Sequence, residues 1–364
     1  MLEEHEVTLA DLTTLRVGGP AARLVTAEST DEVVDAVREV DDADEPLLVI
    51  AGGSNLVIAD DGFPGSAVRV ATAGVSVEPS PGEDDDVVLV RVAAGEPWDD
   101  VVTRAVVEGW SGIEALSGIP GCAGATPVQN VGAYGQEVAQ TVAQVRAWDR
   151  AEQRVRTFTS ADCGFTYRSS VFKGLLWRGA ARYVVLDVLF RLHLSDQSQP
   201  IGYADLARGL DVAVGERVPL AEARYAVLEQ RRRRGMVLDA GDHDTWSCGS
   251  FFTNPILSAG AFAELSTRAR DRLGVEAPAP PEFPAADGQV KTSAAWLIDR
   301  AGFGKGYGLP GPAALSSKHT LALTNRGGAK AADVLALARE VRAGVEEAFG
   351  VTLVNEPVLV GLTL

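Results

Sequence analysis

LLVIAGGSNLVIADDGF, residues 47–63, decides the reading of this chain. Pro46 leads four apolar residues, the length and composition of a buried strand, and they run straight into Ala51-Gly52-Gly53-Ser54-Asn55. Upstream, Ser29 with Glu32 has the spacing of a capping box, and Val33, Val37 and Val40 follow at helical intervals. Helix, buried strand and glycine-rich loop form an α/β unit, and such units bind ligands beyond the carboxyl end of the strand. Gly52 and Gly53 let the backbone curl with its N–H groups exposed, and Ser54 and Asn55 add side-chain donors, a plausible nest for a diphosphate. An ordinary strand-to-loop turn would look much the same.

Outward from this unit the pattern changes. VRV, VSVEP, VVLVRVAAG, VAQVRAWD, RVRTFT and RYVVLDVLFRL, between Val68 and Leu192, predict short strands, interrupted by one helix over Trp98 to Glu108. That is an α+β arrangement, not a repeating βαβ series. The acidic tract Glu83 to Asp86 predicts a solvated hairpin tip. A second unit is expected to start near Pro219, with a helix from Leu220 ending in the arginine run 231–234. Further helices are expected over 261–273, 293–301 and 331–349. The proline-rich segment 277–284 predicts a stiff connection, neither strand nor helix. VTLV and VLVGLTL, at 351–354 and 358–364, predict a closing strand pair.

Composition narrows the function. Of 364 residues 46% are apolar and 23% charged, an ordinary globular balance for two or three packed units. With 33 basic against 50 acidic residues the net charge is −17, which disfavours a nucleic-acid partner. The first twenty residues have no basic leader and no apolar core, and no apolar run approaches the ~20 residues of a membrane helix. No membrane partner is expected, and the location expected is the cytoplasm. Three scattered cysteines (Cys122, Cys163, Cys248) and four scattered histidines give neither a disulfide framework nor metal-ligand spacing, so no metal is expected.

Three further segments could carry chemistry. SGIPGCAGATPVQNVGAYGQE, 117–137, combines five glycines with Thr126, Gln129, Asn130 and Tyr134 and almost no charge. It suits a large uncharged ring, or a pyrophosphate approached by bare backbone. It is neither a dinucleotide G-x-G-x-x-G fingerprint nor a P-loop, and a structural Ω-loop would read similarly. CGSFFTNP, 248–255, places Ser250 between Gly249 and two phenylalanines; a buried hairpin is the plainer account. Alone, Arg168 in FTYRSSVFK and Glu356 in VNEPVLV read as a surface charge and a turn residue. The arginines at 231–234 complement a helix dipole.

Taken in order, TTLRVGGPA (13–21), AGGSNLVI, GIPGCAGATPVQNVGAYGQE, YRSSVFK, CGSFFTNP, AAWLIDRAGFGKG and NEPV resemble the UDP-N-acetylenolpyruvoylglucosamine reductase family of bacterial cell-wall synthesis. The resemblance runs from Thr13 to Leu364. It implies an α+β chain with an FAD-binding fold of the vanillyl-alcohol-oxidase (PCMH) type in two subdomains, plus a separate α+β substrate-binding domain. The expected boundaries are 1–70, joined by 351–364, for the first FAD subdomain, 71–215 for the second, and 216–350 for the substrate domain. The family's catalytic arginine, serine and glutamate fall on Arg168, Ser250 and Glu356. Non-covalent FAD would lie against Gly52, Gly53, Ser54, Asn55 and Leu56, and against Gly121, Gly124, Ala125, Thr126, Gln129, Asn130 and Gly132. IGYADL, 201–206, looks like the loop of the family's first type and places its substrate-binding tyrosine at Tyr203. Asn254, Lys305 and His319 fall on sugar-nucleotide positions. Arg234 stands where relatives often have lysine, exchanging a point charge for a fork. The resemblance implies NADPH as hydride donor, a sugar-nucleotide substrate and a monomer. A basic pocket of Arg234, Lys305 and Lys318 would take the two diphosphates in turn. An oxidase of the same fold and a non-catalytic nucleotide-sugar binder are the rival readings.

Overall fold

Ser29 starts the first helix as expected. In the computed structural model, which describes residues 1–79 and 86–364, its hydroxyl accepts the Glu32 N–H at 3.3 Å. The helix runs Thr30–Asp42 with Val33, Val37 and Val40 buried on one stripe. It serves a sheet in the order Leu2–Thr8, Pro20–Ala27, Phe63–Val70, Leu47–Ile50. Phe63–Val70 is parallel to both its neighbours, a pairing that requires crossovers. The short strand-type runs assemble a second, antiparallel sheet, in the order Arg154–Thr159, Val142–Asp149, Tyr183–Leu194, Val87–Ala93, Val75–Glu78. Its central strand is buried from Tyr183 to Phe190, which explains a continuous apolar run where alternation would mark an exposed face. One core joins both sheets and their helices, Val25, Val37 and Val68 with Val90, Trp98 and Phe190. The hairpin tip expected at Glu83–Asp86 lies, except for Asp86, outside the described residues.

An ionic staple crosses this core. Arg150 is 1% exposed, and its Nε and Nη2 donate to the Asp41 carboxylate while its Nη1 donates to the carbonyls of Trp177 and Ala181.

The chain divides into two compact units. The first comprises Met1–Val7, Pro20–Gly53 and Phe63–Val237; the second comprises Thr8–Gly19, Ser54–Gly62 and Leu238–Leu364. The break expected near residue 216 therefore falls inside the first unit. Pro219 starts a helix, Leu220–Arg233, but no new core. Ala223 and Val227 are buried with Ala115, Ile201 and Leu206, and Arg224 forks onto Asp99 at 2.7 and 2.8 Å.

The second unit is built on the helix Ala331–Phe349, whose Val334, Ala338, Val341 and Val345 are fully buried as the spacing predicts. Asp60 caps it from a distant segment, accepting the N–H groups of Ala331 and Ala332 at 2.7 and 3.0 Å. The closing strand pair does not form. Val358–Val360 runs parallel to Leu56–Ile58 instead, while Val351 and Leu353 sink into the core. The C-terminal residues thus join 54–62 in the second unit, not the sheet of residues 1–70. The proline-rich segment also departs from expectation, since Phe283–Pro284 pairs with Val290–Lys291. Among the described residues, no helix is long and apolar enough to cross a membrane.

Candidate active site

In the first unit the two glycine-rich loops meet backbone to backbone. A Cβ on Gly52 would stand 2.6 Å from the Gly121 Cα, so no larger residue fits there. The Gly52 N–H is directed at Cys122, whose thiol burial pushes up. Gly52 therefore ties the loops to each other, and Gly53, at φ +57°, turns the chain. Gly121 is pinned by its carbonyl to the Trp98 N–H at 2.9 Å, and a Cβ on Gly124 would collide with that of Ala94 at 2.4 Å.

The polar side chains of the second loop shape it from within. Thr126 and Asn130 are buried; the Thr126 hydroxyl donates to the Ala123 carbonyl at 2.7 Å. Asn130 donates to Glu137 and to the Thr166 carbonyl. Gln129 accepts from Lys173, and Ala125 is exposed. Residues 117–135 hold no charged side chain. A neutral loop of closely approached backbone fits a flavin dinucleotide, with contacts made by main chain more than by the threonine and asparagine.

Arg168 sits in a two-residue turn closed by reciprocal hydrogen bonds between Thr166 and Ser169. Its φ is +56°, a left-handed conformation that arginine rarely adopts, and strain of this kind concentrates at functional sites. Its Nη1 and Nη2 donate to the carbonyls of Asn130 and Gly132 at 3.3 and 2.9 Å. Gly132 is glycine because a Cβ would meet Glu137 at 2.7 Å and the Arg168 guanidinium at 3.2 Å.

The same unit brings Tyr203 and Arg234 together with Tyr134 of the glycine-rich loop and Arg231 of the arginine run, neither of which was expected to bind substrate. The Tyr203 ring meets Tyr134 edge-on with centroids 5.5 Å apart, and Arg234 lies 5.9 Å from the Tyr134 ring centroid. Arg234 Nη2 also reaches Asp205 at 3.2 Å. Arg231, one helical turn earlier, donates from Nη2 to the Met236 carbonyl at 2.7 Å. Its Nε is buried without a hydrogen-bond partner among the described residues. Burial lowers the Arg231 pKa to about 10 and raises that of Tyr134. The i, i+3 spacing of Arg231 and Arg234 was the available signal, masked by an arginine run that helix-dipole chemistry already explained.

In the second unit backbone pairing brings the CGSFF and NEPV segments side by side. Glu356 N–H donates to the Phe251 carbonyl at 2.8 Å, and Phe252 bridges Asn355. Ser250 follows Gly249 (φ +78°) at the mouth of this pairing, and the rings of Phe251 and Phe252 are 0% and 1% exposed in the core. Burial, with the Glu356 carboxylate adding to it, pushes the Cys248 thiol up to about 12. Asn55, expected to donate to a diphosphate, donates to the Glu356 carbonyl at 3.4 Å, and its own carbonyl accepts the Val358 N–H. Asn254 accepts the Ala294 N–H at 3.0 Å and so braces a helix start. Lys305 is exposed, and His319 Nδ1 accepts the Leu321 N–H at 3.4 Å. Lys318, expected in a basic pocket, pairs with Asp242.

The class of protein is now defined. Residues 21–158, most of them in the first unit, match the FAD binding domain model. Residues 241–360 match the C-terminal domain model of UDP-N-acetylenolpyruvoylglucosamine reductase. The UDP-N-acetylenolpyruvoylglucosamine reductase of Thermobifida fusca is 60% identical over 99% of this chain and 98% of its own. That of Streptomyces avermitilis is 57% identical over 100% and 96%. The crystal structure of the Thermus caldophilus reductase superposes with a TM-score of 0.61 at 24% identity, covering 99% of this chain and 100% of that one, a likeness of fold. The chain belongs to the UDP-N-acetylenolpyruvoylglucosamine reductase family.

Proposed function

We propose that this protein reduces the enolpyruvyl ether of UDP-N-acetylglucosamine enolpyruvate to UDP-N-acetylmuramate, as an FAD enzyme using NADPH. The observation that carries the reading is 60% identity to a reductase of that name over 99% of this chain. The enzyme works as a monomer in the cytoplasm, and its product feeds peptidoglycan synthesis, on which cell shape and division depend.

FAD, when bound against the neutral loops at 52–56 and 121–132, supplies hydride transfer from NADPH to the substrate. Ser250 holds the proton that completes the reduction at the neighbouring carbon. A serine hydroxyl is a weak acid in water, so it can serve only against a strongly basic carbanion in a dry setting. Phe251 and Phe252, buried beside it, provide an apolar side. Arg168 stabilises the negative charge that develops on the enolate, and its fixation on two carbonyls removes the cost of reorienting it during reaction. Glu356 in its protonated form stabilises the same charge as a hydrogen-bond donor. Tyr203, Arg231 and Arg234 take the diphosphate of the sugar nucleotide and, in turn, that of NADPH. Lys305, Asn254 and His319 contact the sugar nucleotide.

Anaerobic stopped-flow mixing, first with NADPH and then with the enolpyruvyl nucleotide, tests the reading in its two halves. In Ser250→Ala, flavin reduction by NADPH should stay near wild type while reoxidation by the substrate falls ~10²–10⁴-fold. Equal loss in both half-reactions would remove Ser250 from proton transfer. A wild-type flavoprotein that the enolpyruvyl nucleotide cannot reoxidise would sink the function itself.

A further inference from the structure

Glu114 is a buried carboxylate that neither the sequence pattern nor the proposed chemistry employs. It begins the single turn Glu114–Leu116, is 2% exposed, and pairs with no basic side chain among the described residues. Its charge is met only by donors. Oε2 accepts the Gly112 N–H at 2.7 Å. Oε1 accepts the Gln199 N–H at 2.6 Å and the Gln136 side-chain amide at 2.9 Å. Gln136 answers by accepting the Ala115 N–H at 2.8 Å, and the Gln199 amide donates to Ser111 at 3.1 Å.

One carboxylate thus joins three segments. Gln136 lies on the hairpin formed by Gly132–Ala133 and Gln136–Glu137, which presents Tyr134 and the carbonyl that holds Arg168. Gln199 opens the stretch that leads to Tyr203, where the helix Ala204–Leu210 begins. The edge-on packing of Tyr134 on Tyr203 is therefore set from both sides by the same group. Burying a charge without a cation is costly, and apolar packing would hold three segments together more cheaply. Charge-assisted hydrogen bonds give instead directional control over where the segments lie.

We propose that Glu114 is a positioning residue, whose carboxylate fixes Tyr134 and Tyr203 relative to each other for binding the sugar nucleotide. The inference rests on the substrate assigned above. Its sharpest test is Glu114→Gln, which keeps the volume. However its amide is turned, an NH₂ group faces a donor, either the Gly112 N–H or the pair from Gln199 and Gln136. The holoenzyme variant should bind flavin and accept hydride from NADPH at saturating concentration. Its KM for the enolpyruvyl nucleotide should rise about tenfold with kcat within about threefold, the size expected when a charged hydrogen bond is lost. The double variant Glu114→Gln/Gln136→Glu restores the bridge between the two side chains and should recover part of that KM.

Gln136→Met removes only the link to the hairpin and should shift KM in the same direction by less, which covers a Glu114→Gln protein that does not fold. Calorimetric titration of each holoenzyme with UDP-N-acetylglucosamine reads binding without turnover. Wild type that binds but does not turn over refutes the function and leaves the ratio of dissociation constants to judge Glu114. Wild type that does not bind overturns both. Unchanged KM and dissociation constant in Glu114→Gln, or kcat and melting temperature falling together at constant KM, would show Glu114 to be structural only.

Discussion

Two arginines of the first unit, Arg150 buried whole and Arg231 buried at its Nε, meet opposite fates. Arg150 spends its guanidinium on a carboxylate and two carbonyls, with side chains only 1% and 2% exposed across the pair with Asp41. Among the described residues, Arg231 has one hydrogen bond to a carbonyl, a buried Nε without a partner, and a charge that burial opposes. A fully partnered buried charge is finished as structure. A partly partnered one, beside Tyr134 and Arg234, is costly to the free protein and gains most when an anion arrives. The contrast separates scaffold from site without reference to any ligand.

The largest effect should come from breaking the finished pair. Arg150→Ala leaves the Asp41 carboxylate buried and unpaired, and should destabilise the protein by ~3–5 kcal/mol in urea unfolding followed by tryptophan fluorescence. Lysine cannot reproduce the fork that spans carboxylate and carbonyls, so Arg150→Lys should recover only part of the loss. A loss below about 1 kcal/mol, the range of an exposed pair, would erase the distinction drawn here.

Arg231→Met should behave in the opposite way. It removes a buried donor without a partner, so melting temperature should hold or rise. Both Michaelis constants should worsen by ~1–3 kcal/mol, the worth of a charge-assisted contact to a diphosphate. Lost stability with both constants unchanged would make Arg231 a second Arg150.

What the residues alone disclosed follows the range of the interactions. Val33, Val37 and Val40, or Val334 through Val345, declare their helices because neighbours one turn apart are close in sequence. The segments bearing Ser250 and Glu356 were legible only through resemblance, since the Glu356–Phe251 hydrogen bond joins residues far apart in the chain. Asp60 capping a helix at Ala331 had no local signal at all. VTLV was misread because its alternation, with Val351 and Leu353 buried and Thr352 and Val354 exposed, looks like a strand whether or not a ladder forms. Pro219 was misread because a proline that begins a helix also resembles a domain joint. Thr126 and Asn130 were expected to face a cofactor, yet the Thr126 hydroxyl satisfies the loop's own backbone and the Asn130 amide is held by Glu137 and the Thr166 carbonyl. Polar residues in a glycine-rich loop face that demand before they can serve a ligand.

The smallest effect sharpens the comparison at Arg234, the neighbour of Arg231. Its Nη2 reaches Asp205 at 3.2 Å, and Asp205 also lies 3.4 Å from Arg208, with its own side chain 43% exposed. An ion pair this open to water is worth ~0–1 kcal/mol, far less than the Arg150 pair. The Asp205 carboxylate nonetheless occupies part of the fork that a diphosphate would need, and its negative charge faces an incoming anion. Asp205→Asn keeps the shape and removes the charge. If the carboxylate competes, KM for both NADPH and the enolpyruvyl nucleotide should fall by up to about fivefold in low salt, within the range of an exposed pair. The gain should fade as salt is raised and the Debye length shortens. If Asp205 instead holds Arg234 in its binding pose, the same substitution raises both constants. The sign of the change, measured at two ionic strengths, then says whether Arg234 stands ready for its ligand or must first release a neighbour.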